Sequence, residues 1–197
     1  PGRGRGMNSA LVMHLVKKDW HLSWPMLVFG GLAGVLAVAI LYLRNEVAGF
    51  VGLSSAIIVL VLVSIFMPMN TMVNERKKQN VAFVMSLPLS PMEYTVAKIL
   101  ANLSGFLLVW VAVTAAVIGT FAGTPFAGLI PLALVVALLP FVAFSVMLGV
   151  AIVVESEFWS IITMSVFNIS YTFIWYFLMR IPGVREDLKS TVPVWSD

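Results

Sequence analysis

From Ile99 to Val154 the chain carries no Asp, Glu, Lys or Arg. A stretch that long cannot belong to a water-soluble domain, whose elements must each turn a polar face to solvent. It is long enough for two membrane crossings, because a helix needs about 20 apolar residues to traverse the roughly 30 Å hydrocarbon layer. The remainder of the sequence agrees. Of 197 residues, 60% are hydrophobic and 11% charged, with a mean hydropathy of +1.01, whereas soluble domains carry about 25% charged residues. So few charges exclude an ordinary cytosolic enzyme, a disordered tail and a nucleic-acid module. The net charge of +3, from 12 Lys+Arg against 9 Asp+Glu, therefore speaks of membrane topology and not of nucleic-acid affinity.

Charge-free windows predict five spans. The first lies within Trp20 to Leu43, beginning near Trp24-Pro25, where proline suits a first helical turn. The second lies within Val47 to Asn74. The long run Ile99 to Val154 divides at Phe121-Ala-Gly-Thr-Pro-Phe-Ala-Gly128, whose Gly and Pro form turns. The fifth extends from about Phe158 to Met179, ahead of Ile181-Pro182-Gly183. Lipid offers the backbone no water, so each span satisfies itself as a helix. The expected fold is an all-α, polytopic membrane bundle. Residues 1–6 read as an expression scar before a natural start at Met7, residues 7–23 as an N-terminal interfacial helix, and residues 24–197 as the transmembrane domain.

Orientation follows from the basic residues. With the N-terminus cytoplasmic, inner segments hold Arg3, Arg5, Lys17, Lys18, Arg76, Lys77, Lys78 and Lys98, and outer segments hold Arg44, Arg180, Arg185 and Lys189. The positive-inside rule favours that arrangement. It leaves residues 180–197 as an outer tail, and the odd helix count predicts a sixth span beyond Asp197.

The chemistry available to such a chain is narrow. Every Asp and Glu sits at or near a predicted span boundary, and both histidines, His14 and His21, precede the first span. A proton-coupled carrier would have no intramembrane acid. An intramembrane hydrolase would lack its base, and a zinc protease its ligands. There is no cysteine and no Gly-x-x-x-x-Gly-Lys-Ser/Thr phosphate loop. Any uphill work must be driven by another protein.

The segment between spans two and three carries the most information. Glu75 to Ser86 reads as a helix with Val81, Val84, Met85 and Pro88 on one face, and Pro88 halts it at Leu87. Ser90 is then an N-cap, Pro91 the first helical residue and Glu93 the partner of a capping box. The new helix runs through Tyr94 into span three, and Lys98 is expected to snorkel to the inner headgroups. A simple connector needs no such helix–elbow–helix. An interfacial helix on anionic lipid, held by Arg76, Lys77 and Lys78, accounts for it equally well.

Glu75-Arg76-Lys77, Leu87-Pro88-Leu89-Ser90-Pro91-Met92-Glu93-Tyr94 and Ala97-Lys98 together resemble the cytoplasmic loop of ABC-2 type transporter permeases. Leu15-Val16-Lys17-Lys18-Asp19 is similar to the connecting helix that opens small members of that family. The resemblance implies a six-span permease that pairs with a second permease, a copy or a paralogue. The pair docks on two separate ATP-binding cassette ATPase subunits, which hold ATP and Mg while this chain binds no cofactor and catalyses nothing itself. Residues 74–95 would form the coupling loop, docking through Met85, Ser86, Leu87, Pro88, Leu89, Ser90, Pro91 and Glu93. Lys17 and Lys18 would add a second contact with the ATPase, as would Glu155 and Glu157 in the turn between spans four and five. The bland reading of the lysines is an anchor on anionic headgroups, and that of the glutamates is two solvated loop acids.

Three further features are packing or path. Gly30 and Gly34, and Gly119 and Gly123, are spaced for close helix approach. Ser165, Asn168 and Thr172 share a face of span five, where they either bond across helices or line a translocation path. Pro68, Pro131 and Pro140 are expected to kink their helices. The function expected is that of a permease subunit of an ATP-driven exporter in the bacterial inner membrane, with membrane lipid around it and no nucleic-acid partner. An amphipathic or hydrophobic cargo, a peptide or an antibiotic, suits a path without charge. The alternative is a membrane anchor or scaffold for a cytosolic protein. An enzyme acting on lipid headgroups is disfavoured by the missing acid–base groups.

Overall fold

The computed structural model describes residues 9–43, 46–73, 90–122, 127–154, 157–178 and 180–182, and among them the regular structure is entirely helical. Among the described residues five α-helices form: α1 (Ser9–Leu41), α2 (Glu46–Pro68), α3 (Pro91–Phe121), α4 (Ile130–Val153) and α5 (Glu157–Leu178). A π-helical turn, Met69–Val73, continues α2, and a 3-10 turn, Ala127–Leu129, leads into α4. Helices α1 to α4 are long and apolar enough to cross a membrane, and α5 supplies a shorter apolar stretch, Phe158–Ile174. Their outward faces are apolar as well: Phe29, Leu32, Leu36, Leu138, Phe173 and Phe177 are all more than half exposed. A surface of that kind is suited to lipid and not to water.

The helices are held by seams of small residues. On α1 the buried positions Val12, Asp19, Ser23, Leu27, Gly30, Gly34, Ala37 and Leu41 recur at threes, fours and one seven, which is a single helical stripe. A Cβ at Gly30 would stand 2.8 Å from Val63 of α2, and one at Gly34 2.6 Å from Val113 of α3. The two glycines therefore allow backbone approach on both sides. Gly119, from the other predicted pair, has nothing within 4 Å of such a Cβ, and Gly123 lies outside the described residues. Across α1 and α3 the offset is constant: Asp19 meets Lys98, Gly30 meets Val109 and Gly34 meets Val113. The two helices therefore run parallel. Helix α2 returns antiparallel between them, since Gly52 lies against Leu41 and Met67 against Gly105. The core continues into α4, where Phe144 stacks on Phe106 with centroids 4.2 Å apart. Helix α5 lies at the edge, chiefly along α4.

Prolines depart from expectation in two places. Residues 7–23 and the first span were expected to divide near Trp24-Pro25, yet α1 is one 33-residue helix with Pro25 inside it. Pro25 and His21, whose carbonyl loses its donor, both lie on the exposed face and not in the packed seam. Pro131 was expected to kink its span but is the second residue of α4, where a missing N–H costs nothing. Pro140 is interior and frees the carbonyls one turn before it. Trp110 Nε1 of α3 donates to Ala137 O at 2.7 Å, and the Tyr171 hydroxyl of α5 to Val136 O at 3.4 Å. Neighbouring helices thus supply the donors that proline removes.

Candidate functional site

Parallel α1 and α3 with antiparallel α2 bring three chain segments together at one end of the bundle: α1 near Asp19, the π-turn after Pro68, and the first turns of α3 near Lys98. Sequence reasoning expected Lys98 to snorkel outward. Instead it is 2% exposed and paired with Asp19, which is 1% exposed. The reason is register: Ala97, Lys98, Ala101, Asn102 and Gly105 form the buried stripe of α3, so Lys98 points into the seam where α1 and α2 converge. Its ammonium lies 3.0 Å and 2.8 Å from the two Asp19 carboxylate oxygens and donates to the Thr71 carbonyl at 3.1 Å. Two hydrogen bonds, to Asp19 Oδ1 and Thr71 O, and the ion-pair contact with Asp19 Oδ2 surround the ammonium, and pairing of this kind is the condition under which a buried charge is tolerated.

Thr71 can serve Lys98 because of the backbone around it. Pro68 ends the regular α2 ladder, and the following turn widens to π geometry, a distortion that leaves carbonyls available to side chains. The Thr71 hydroxyl lies 3.0 Å from Met67 O and 2.8 Å from Asn102 Oδ1. Asn102 Nδ2 donates to Lys98 O at 2.9 Å, which fixes the amide orientation and makes Oδ1 the acceptor facing Thr71. One turn along, Trp20 Nε1 donates to Ser104 Oγ at 2.9 Å, a second polar tie between α1 and α3. The cluster Asp19, Thr71, Lys98 and Asn102 is a joint linking three helices at the end of the bundle where the π-turn after α2 finishes and α3 begins.

The start of α3 is well defined. Ser90 caps α3: its Oγ accepts from Glu93 N at 3.2 Å, and its N–H donates to Glu93 Oε2 at 2.8 Å. The capping box read from the sequence is formed, with Pro91 in the first turn. Lys98 follows within two turns, so the cap and the joint share one rigid stretch of helix. Of the other proposed docking residues, Met85, Ser86, Leu87, Pro88 and Leu89 lie outside the described residues.

The remaining predicted residues are dispersed. Lys17 and Lys18 are exposed on α1, turned away from the seam that holds Asp19. Glu155 lies outside the described residues, and Glu157 is the first residue of α5. Ser165, Asn168 and Thr172 do share an exposed face of α5. Each donates to the carbonyl four residues earlier, at 2.9, 3.0 and 3.2 Å, and not across helices. An apolar crevice between α2, α3 and α4, lined by Leu53, Leu60, Val113, Thr114, Val117 and Ala137, has a volume of about 20 Å³. That is roughly the space of one water and far less than a cargo needs. The buried Thr114 hydroxyl, on its wall, has no hydrogen-bond partner. Among the described residues no group of three or more His, Cys, Asp or Glu could hold a metal.

Asp19, Thr71 and Asn102 were missed as site residues. A signal existed: Lys98 and Asn102 stand four apart beside Ala97, Ala101 and Gly105, a stripe of small residues that marks a packed face. No protein-family model matches the chain, and comparison with curated proteins and with solved structures gives no match either.

Proposed function

We propose that the chain is the membrane subunit of an ATP-driven exporter, with segment 74–95 as the element that docks on a separate ATPase. Helix α5 is then a fifth crossing, the N-terminus and the joint lie on the cytoplasmic side of a bacterial inner membrane, and a second permease completes the pathway. The observation that carries this reading is the direct mechanical line from the capped start of α3 to the Asp19–Lys98–Thr71 joint. A push on the segment preceding Ser90 reaches Lys98 through two turns of helix and from there passes to α1 and to the end of α2. Rigid elements joined at a polar node are the usual means of converting a local displacement into a change of access. The resemblance of residues 75–98 to the ABC-2 cytoplasmic loop supports the same reading, as does the absence from the sequence of a phosphate loop of its own.

Mechanically, the chain contributes no covalent chemistry. ATP closes the partner cassettes, the docked loop shifts, and α3 carries α1 and α2 with it. The cargo is amphipathic or hydrophobic, a peptide or an antibiotic by preference. A membrane scaffold is the second reading, and the small crevice between α2, α3 and α4 favours it, because no chamber for cargo is formed there.

Co-expression with candidate cassette ATPases tests the proposal. The chain is expected to copurify with one of them, Leu87→Asp and Glu93→Arg are expected to abolish copurification, and liposomes holding the complex are expected to show nucleotide-dependent transport. Copurification without transport would establish the scaffold instead. No copurification with any cassette would end the exporter reading.

A further inference from the structure

The buried stripe of α4 changes character at Pro140. After the proline it is filled by rings. Phe144 stacks on Phe106, and Phe141 is tilted against Phe106 and Trp110, with centroids 6.1 and 5.8 Å apart. Before the proline, the residues that α4 turns toward α2 and α3 are Ala133 and Ala137, one turn apart. Two methyl groups do not fill the space that aromatic rings fill further along, and the crevice of about 20 Å³ between the three helices is what remains. One half of α4 is thus tightly packed and the other borders a void, whose lining forgoes contacts.

The two halves meet at a weak turn. Pro140 has no N–H for the Val136 carbonyl, and its ring crowds the preceding turn, which is where a long helix bends. Side chains from two neighbouring helices hold that turn in place: Trp110 Nε1 donates to Ala137 O at 2.7 Å, and the Tyr171 hydroxyl to Val136 O at 3.4 Å. Trp110 therefore bridges the bend. Its ring rests on Phe141, after the proline, while its N–H holds Ala137, before it.

Thr114 on the crevice wall departs from its neighbours. On the same helix Ser104 donates to Leu100 O and Thr120 to Val117 O. The Thr114 hydroxyl, in a side chain 8% exposed, has no partner. A buried hydroxyl left in that state is rare and costly. Among the described residues, no other side chain lining the crevice is polar. A lone water would need two to four polar partners and finds one side chain. A guest with an apolar body and a single hydroxyl fits both parts of the wall. Leu53, Ile57 and Ile118, half-buried at the rim, face such a guest with an apolar entrance from the bilayer.

We propose that the crevice between α2, α3 and α4 is an expandable binding site for a slender primary alcohol drawn from the bilayer. Its wall opens when the half of α4 before Pro140 swings about that proline, and Trp110 is the latch. In the closed arrangement the latch bond holds Ala137 in place and the space is too small for the guest. On opening, the alcohol hydroxyl pairs with Thr114 and its chain lies between the alanines of α4 and the side chains of α2. The site needs a bilayer around the bundle but neither the exporter nor the scaffold role.

Photolabelling of the full chain in phosphatidylcholine liposomes with a diazirine-bearing octanol tests the site. Labelled positions are mapped by mass spectrometry, with Val166, exposed on α5, as the lipid-facing reference. Label is expected to concentrate on the crevice residues and to be displaced several-fold better by 1-octanol than by octane, each at the same concentration in the bilayer. Thr114→Val keeps the shape without the hydroxyl and should bring the two competitors to parity. Ala137→Leu fills the crevice and should remove the label. Trp110→Phe keeps a ring but loses the latch bond, and should raise crevice labelling several-fold with Val166 unchanged. Melting temperatures establish that each variant is folded, and Ala133→Val replaces Ala137→Leu if the latter is not. The comparison of competitors in the wild type needs no variant. Crevice labelling no greater than that of Val166, or equal displacement by octanol and octane in the wild type, overturns the site. Labelling that a folded Trp110→Phe variant leaves unchanged overturns the latch.

Discussion

Polar side chains are handled in two ways in this bundle. Where α1, α2 and α3 converge, Asp19, Thr71, Lys98 and Asn102 reach across helices to one another. On the outer side of α5, Ser165, Asn168 and Thr172 fold back on their own helix and bond the carbonyls four residues earlier. Both arrangements satisfy hydrogen-bonding demand in an apolar setting, but with different consequences. A cross-helix pair fixes the relative position of two elements, so a displacement of one is transmitted to the other. A back-bonded serine or threonine fixes nothing beyond its own turn. The bundle therefore has a stiff end, where the segment between α2 and α3 is rooted, and a loosely tied edge at α5.

Substitutions that should break this contrast can be ranked. Lys98→Met leaves the Asp19 carboxylate buried without a cation and is expected to cost about 3–5 kcal/mol, read as unfolding free energy in a reversible detergent or steric-trapping assay. Asp19→Leu/Lys98→Met should recover most of that loss, because removing both charges removes the desolvation penalty. A single variant close to wild type would show that the joint is not sealed. Gly34→Leu forces a side chain onto Val113 and should cost about 1–3 kcal/mol, whereas Gly119→Leu, which meets open space, should stay within about 0.5 kcal/mol. Asn102→Leu removes one cross-helix bond and is expected to cost about 1 kcal/mol. Ser165→Ala and Thr172→Ala should change stability by less than about 0.5 kcal/mol in the isolated chain. A larger loss at those two positions would mean that the outer face of α5 is covered by another helix.

How much of this could be read from sequence depended on whether the deciding interaction was local. The helical class followed from charge-free windows, because lipid leaves the backbone no alternative. The start of α3 followed from Ser90, Pro91 and Glu93, because a capping box is settled within four residues. The interior of the joint did not follow. Lys98 next to a predicted headgroup layer has two solutions, outward to phosphate or inward to an acid, and the choice rests on Asp19, 79 residues away. Asp19 reads in sequence as a residue near a span boundary, and only the α1–α3 register turns it inward. Pro25 misled for a related reason: proline at a first turn and proline on the exposed side of a continuing helix leave the same local signature. The role of Pro140 was half legible, since the loss of a backbone donor could be expected while the donors from Trp110 and Tyr171 depend on tertiary packing.

The central claim is that force on the segment before Ser90 enters the bundle through the Asp19–Lys98 joint. The sequence has no cysteine, so Thr114→Cys places a single thiol in the crevice between α2, α3 and α4. Its maleimide labelling, measured in the ATPase-bound complex with and without ATP, reports whether those helices separate on nucleotide binding. The expected result is a several-fold ATP-dependent change in labelling rate that Asp19→Leu/Lys98→Met abolishes while ATPase binding persists. An unchanged rate in the complex with an intact joint, or an ATP response that survives loss of both charges, would contradict the account.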